Sequence, residues 1–261
     1  MMRSHLLVGA ALAVVVAAAG CVTTQPEASR YVASFDFAPA AEASPGSAGL
    51  TFAVVRPACV TSVPLFGTFS EKMGQDLFEV LAARGFNVRG PFATYDQLTY
   101  PDKKGSDLLL MPKLTVTLDT SRLTWKEQVS GGDIARALLG DGRKRYKAEG
   151  EAVLGGRINL VVAESLSRER MWVKSVDIAP VAVRVETTGD YYTIFDRNQT
   201  GVADGEAAML LQREPNLYND VARALEGQYR AVLQSVYNYL DPDEMQAVNR
   251  QAEEIRKRKV Y

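Results

Sequence analysis

The sequence contains a single histidine, His5. It lies in an N-terminal segment that reads as a cleaved signal, so the mature chain is expected to carry none. That absence removes Ser–His and Cys–His nucleophile pairs, histidine acid–base chemistry and most zinc sites. Carboxylate-only chemistry stays open, but there is no DxD-type metal cluster, phosphate loop or nucleophile elbow. Gly131-Gly132 and Gly155-Gly156 lack the flanking pattern of a nucleotide-binding turn and read as ordinary turns. No catalytic residue, cofactor or metal site is therefore assigned, and the chain is not expected to be an enzyme. Cysteine is also scarce, with only Cys21 and Cys59. Cys59 stands in the apolar run 54–60 and is expected to be buried as a small hydrophobe. Charge of either sign is not in excess: 30 Lys+Arg stand against 31 Asp+Glu. Near balance gives no electrostatic argument for nucleic acid as a partner.

What is present begins with the apolar run 6–20. It is shorter than the roughly 20 residues that cross a hydrocarbon core, but it suits the central region of a secretion signal. Arg3 supplies the positive start, and Ala18-Ala19-Gly20-Cys21 closes the segment. Small side chains before a cysteine let the chain lie extended in a peptidase cleft. The close looks like the lipobox of bacterial lipoproteins, with Ala18 in the place usually held by Leu. An ordinary cleaved signal and an uncleaved anchor are the competing readings. The lipoprotein reading uses every part of the pattern, and it makes Cys21 the lipidated residue and the membrane a partner.

The whole chain is 47% hydrophobic and 23% charged, an ordinary globular composition. Residues 1–20 are read as the signal, 21–30 as lipidated cysteine and tether, 31–240 as one domain, and 241–261 as a charged C-terminal helix. Residues 31–39 alternate, with Tyr31, Ala33, Phe35 and Phe37 on one face, and predict a first strand. Residues 50–56 predict an interior strand. A helix over 68–86 follows from the spacing of Phe69, Met73, Leu77, Val80 and Leu81. Thr68 and Glu71 are placed for a capping box, and Gly85 for a left-handed stop. Residues 86–90 then complete a β–α–β unit.

Residues 107–120 predict a long strand, and 123–129 are expected to pair with it. Residues 151–165 and 168–186 predict a hairpin, and 187–211 a long loop. Beyond 216, Leu217, Val221, Leu225, Val232, Val236 and Leu240 form a helical stripe. Asp241 and Pro242 restart a final helix, whose charge predicts that it projects into solvent. The expected class is α+β: a mostly antiparallel sheet packed on one face by the β–α–β helix and a long C-terminal helix.

The signal and Cys21, the strand ending Arg56-Pro57-Ala58, "ARGFNV" (83–88), "DQLTYPDKKGSDLLL" (96–110) and "NDVARAL" (219–225) running to a Lys/Arg-rich end come in a telling order. In these the chain resembles the neuraminyllactose-binding hemagglutinin lipoproteins. The resemblance implies an outer-membrane lipoprotein exposed at the cell surface or associated with a flagellar sheath. Its partners would be envelope or sheath proteins, or a sialylated glycan. A periplasm-facing accessory role in an envelope assembly is a further alternative.

The family's proposed sugar-binding stretch is basic. The equivalent residues 121–127 keep Arg122 and Lys126 but carry Ser121 and Glu127. Trp125 between them offers a ring face, so Arg122, Trp125 and Lys126 are the candidate glycan residues. The competing reading packs Trp125 into the sheet and leaves the two cations solvated. The clusters 143–147 and 256–259 read either as solvated surface or as contacts for anionic lipid. Asn198 sits in a bacterial glycosylation pattern, "DRNQT".

Overall fold

The computed structural model describes residues 29–39, 43–59, 61–128, 144–191 and 202–259. The strands are β1 (Thr51–Val55), β2 (Asn87–Phe92), β3 (Leu108–Asp119), β4 (Thr124–Gln128), β5 (Lys144–Glu164) and β6 (Arg170–Tyr191). The helices are α1 (Pro64–Ala83), α2 (Tyr100–Lys104), α3 (Val202–Arg213), α4 (Pro215–Tyr239) and α5 (Pro242–Arg258), with a 3-10 turn at Tyr95–Gln97. Cys21 and Asn198 lie outside the described residues, as do Gly131-Gly132 and Arg143.

The α+β class holds, but the sheet is mixed and not mostly antiparallel. β1 pairs in parallel with both β2 and β3, whereas β3, β4 and β6 all run antiparallel to β5. The reason is the crossover: a strand returning after a helix re-enters in the same direction. β6 pairs with β5 along nearly its whole length, so β3 and β4 must share the other edge. They lie end to end there, with β3 opposite 153–164 and β4 opposite 145–149. Residues 123–129 therefore extend the β3 row and do not pair with β3 as expected.

The core lies between one face of this sheet and the helices. Phe69, Met73, Leu77, Val80 and Leu81 of α1 are fully buried, as the spacing required, and the α4 stripe is buried with them. The start of α1 differs from expectation. It begins at Pro64, and Thr68 lies inside the helix, donating its hydroxyl to the Pro64 carbonyl. Pro64, not the Thr–Glu pair, supplies the start, since proline fits the first turn without losing a needed N–H. Gly85 has φ 82°, the left-handed stop anticipated.

Three further expectations fail for physical reasons. Residues 29–39 alternate correctly, with Phe35 and Phe37 buried, but pair with no strand. They lie extended along α4, where the backbone N–H of Tyr31 donates to Asn219 and the Tyr31 hydroxyl to Glu226. Gly155-Gly156 is not a turn but the middle of β5, facing a bulge in β6. A Cβ at Gly156 would stand 2.2 Å from the Thr115 carbonyl oxygen, so β3 can approach only a glycine there. The bulge also inverts which β6 residues face the core: Trp172, Val176 and Ile178 before it, Val183 and Val185 after it. Finally, 187–211 is not all loop, because β6 runs on to Tyr191 and α3 starts at Val202.

Helix α5 does not project. The Asp241 side chain caps it by accepting from the N–H groups of Asp243 and Glu244. Of its few apolar residues, Met245, Val248 and Ala252 are buried, while Ala247 and Ile255 are partly buried. Three inward residues suffice because they share one face at helical spacing, while the charge lies on the others.

Candidate functional site

The three candidate glycan residues do not converge. Successive residues of a strand point to opposite faces, and Trp125 and Lys126 are neighbours on β4. Trp125 turns toward the helices, where its indole N–H donates to Glu206 of α3 at 3.1 Å. Lys126 is exposed, and Arg122 is exposed in the β3–β4 connection. The basic clusters are also partly engaged. Lys147 pairs with Glu149 and Glu186. Arg256 pairs with Glu164, and Lys259 with Glu169 at 2.9 Å.

Among the described residues, the carboxyl whose pKa is lowered furthest is Glu164, at the end of β5, which has no exposed side-chain surface. Burial works to raise its pKa. The Arg256 guanidinium and the N–H groups of Ser167 and Leu166 outweigh that and bring it down to about 2. Arg256 donates to Glu164 Oε1 at 2.7 Å, and also to the Ser165 hydroxyl and the Ser106 and Asp107 carbonyls. The Nε and Nη2 donors are turned inward, so this is a clasp joining α5 to the sheet end.

A second buried pair joins the helices: the Tyr229 hydroxyl of α4 donates to Asp76 of α1 at 2.8 Å. Burial raises the Asp76 carboxyl pKa, and the Tyr229 bond partly offsets this. Burial likewise pushes the Cys59 thiol up, which fits an inert, half-buried sulfur.

Among the described residues, the opposite face of the sheet is capped near β1. There Leu98, Ala53, Val55 and Leu109 form a small second core with Tyr95 and Met111. Beside that cap lies a recess of about 750 Å³. Its floor is the cross-strand row Met111, Val161 and Val173, one residue from each of β3, β5 and β6. Val173 is 55% exposed, unusual for a large aliphatic residue. Lys113 stands on the β3 side, and Arg168 and Arg170 at the β5–β6 turn.

Arg168 is held in place. Its φ is 59°, a left-handed setting that costs an L-residue about 1 kcal/mol. Its guanidinium lies 4.5 Å from the Tyr95 ring centroid, with the Lys103 ammonium 4.0 Å from the same ring. The Tyr95 hydroxyl donates to the carbonyls of Ser165 and Leu166, which locks the ring against the turn. Sequence reading missed this site, because its three cations stand singly or nearly so and no local pattern joins 113 to 168.

Among the described residues no group of His, Cys, Asp or Glu is placed to hold a metal ion, and no helix is long and apolar enough to cross a membrane.

No protein family and no curated protein matches the chain in sequence. Among solved structures, a candidate neuraminyllactose-binding hemagglutinin homolog from Helicobacter pylori superposes with a TM-score of 0.55. The match covers 86% of this chain and 100% of that one at 12% identity. A protein from Xanthomonas campestris aligns over 84% of this chain and 99% of its own at 11% identity, with a TM-score of 0.33. A lipoprotein from Neisseria meningitidis aligns over 67% and 99% at 14% identity, with a TM-score of 0.27. Overlaps as low as these last two carry no argument. What the chain shares with the Helicobacter protein is its fold.

Proposed function

We propose that this is an outer-membrane lipoprotein, held by a lipidated Cys21, that works through binding contacts in the envelope, at the cell surface or in a flagellar sheath, and not by catalysis. The observation that carries the proposal is the ordered signal of Arg3, the apolar run 6–20 and Ala-Ala-Gly before Cys21. The domain is built to take such an anchor. At the end of the tether, the Arg30 guanidinium donates to the Gln212 carbonyl, and Tyr31 is held by Asn219. Phe35 then enters the core against Phe69 and Tyr229, with centroids at 5.2 and 5.3 Å. Load on the lipid thus passes into α1 and α4. The two buried carboxylates among the described residues, Asp76 and Glu164, are committed to structure, which supports a binding role over a catalytic one.

A second reading, a sialylated-glycan adhesin using Arg122, Trp125 and Lys126, takes its support from the fold shared with the Helicobacter protein and from that protein's name. The separation of Trp125 from Lys126 across β4 weighs against those three residues acting together, and the contact reading is preferred.

A diacylglyceryl group with an amide-linked acyl chain supplies more than the two signals that stable anchoring needs. Cys21→Ser should therefore shift the protein from the membrane fraction to the soluble fraction, or leave it unprocessed. Normal processing with full membrane retention in that variant would remove the basis of the proposal.

A further inference from the structure

The cationic recess on the bare sheet face has no role in the contacts described so far. Among the described residues, none of Lys113, Arg168 and Arg170 is paired with a carboxylate. No acidic side chain lines it either. Three positive groups around one hollow repel one another unless an anion sits between them. They also approach from two sides, β3 and the β5–β6 turn, across a floor three strands wide. Neighbouring strands lie about 4.8 Å apart, so that floor measures roughly 10 Å across. The floor itself is apolar, with Val173 open to solvent. The site therefore matches a ligand with a compact, multiply charged anionic end and an apolar body.

We propose that this recess binds a phosphate monoester: Arg168 and Arg170 at the β5–β6 turn take the phosphate oxygens, the ester's apolar part lies on Met111, Val161 and Val173, and Lys113 adds positive potential from the far side of the floor. A carboxylate carries one charge and is satisfied by a single guanidinium fork, whereas a phosphate dianion offers three oxygens, enough for the two guanidinium groups at the turn. The Tyr95 ring holds Arg168 at the rim, which lowers the entropy lost when the anion is gripped. The recess volume falls within the range of small-molecule sites. This inference is independent of the lipid on Cys21, and its test does not require anchoring.

The test uses the full chain in neutral maltoside micelles at low salt, followed by calorimetry. Butyl phosphate should bind saturably and more tightly than inorganic phosphate, and butyrate should bind at least tenfold more weakly than butyl phosphate. Lys113→Gln, Arg168→Gln and Arg170→Gln combined should weaken butyl phosphate about a hundredfold. The thermal midpoint of the triple variant shows whether it is folded. Val173→Asp keeps all three cations but should remove the preference for butyl phosphate over inorganic phosphate.

Mixed micelles distinguish the sources of the group. Phosphatidate that competes with butyl phosphate, where phosphatidylcholine does not, identifies a lipid headgroup; an unchanged titration identifies a soluble ester. Absence of saturable butyl phosphate binding by the wild type, equal binding of butyrate, or undiminished binding by the folded triple variant would each overturn the proposal.

Discussion

Arg256→Ala should destabilise the protein by about 3–5 kcal/mol, because it strands a fully buried carboxylate without its partner. The same change leaves the Ser106 and Asp107 carbonyls without their guanidinium donor. In a domain of this size the loss should lower the thermal midpoint by about 10 °C. The effect has a pH signature. The Glu164 carboxyl is depressed from an ordinary 4.5 to about 2. Its contribution is therefore fully present above about pH 4.5 and disappears as the pH falls toward 2. A displacement of that size corresponds to about 3 kcal/mol.

Arg256→Ala should flatten this acid limb, though not abolish it, since the N–H groups of Ser167 and Leu166 still favour the carboxylate. Pairing the change with Glu164→Gln should cost less than the sum of the two single changes, since neither residue then leaves a charge behind. Urea denaturation from pH 2 to 8 checks all three statements. A variant within about 1 kcal/mol of wild type at pH 7 would show that α5 does not depend on the clasp.

Tyr229→Ala should cost a similar amount, about 4 kcal/mol. Tyr229 is 1% exposed, and its ring meets Phe69 at 5.4 Å and Phe35 at 5.3 Å. Removing it opens a cavity at the junction of α1, α4 and the N-terminal segment. Tyr229→Phe keeps the ring and should cost about 1–3 kcal/mol, the penalty of leaving buried Asp76 unsatisfied. The pH dependence here has the opposite sign to that of Glu164. Burial raises the Asp76 carboxyl pKa, so the folded state holds that proton more tightly than the unfolded one. The group adds stability as pH falls and removes it as pH rises. Asp76→Asn still accepts from Tyr229 and carries no charge, so it should cost less than about 1 kcal/mol at neutral pH. An Asp76→Asn variant as unstable as Tyr229→Ala would show that the charge itself is required.

These two pairs also mark where sequence reading stops. Periodicity found α1, α4 and the β5–β6 hairpin because each is a local pattern on one element. It passed over Tyr229, although the stripe steps from Leu225 to Val232 across it, because a tyrosine does not announce a buried carboxylate 153 positions away. Arg256 was hidden in a basic run whose members look alike, and only the fold separates it from Lys257 and Arg258. Strand partners were harder still. Residues 29–39 have strand alternation because one side faces the core, yet the surface they meet is a helix. β4 has no local signal that sends it to β5 instead of β3. The recess at Lys113, Arg168 and Arg170 depends on three-strand register and a turn, none of which a linear pattern encodes.

The anchored-domain account rests on Cys21, and mass spectrometry of the N-terminal peptide from protein extracted from membranes tests it most directly. The account predicts a mature chain that begins at Cys21 and carries the mass of a diacylglyceryl group plus one acyl chain. A mature chain beginning at another residue, an intact Met1, or an unmodified Cys21 thiol would contradict it.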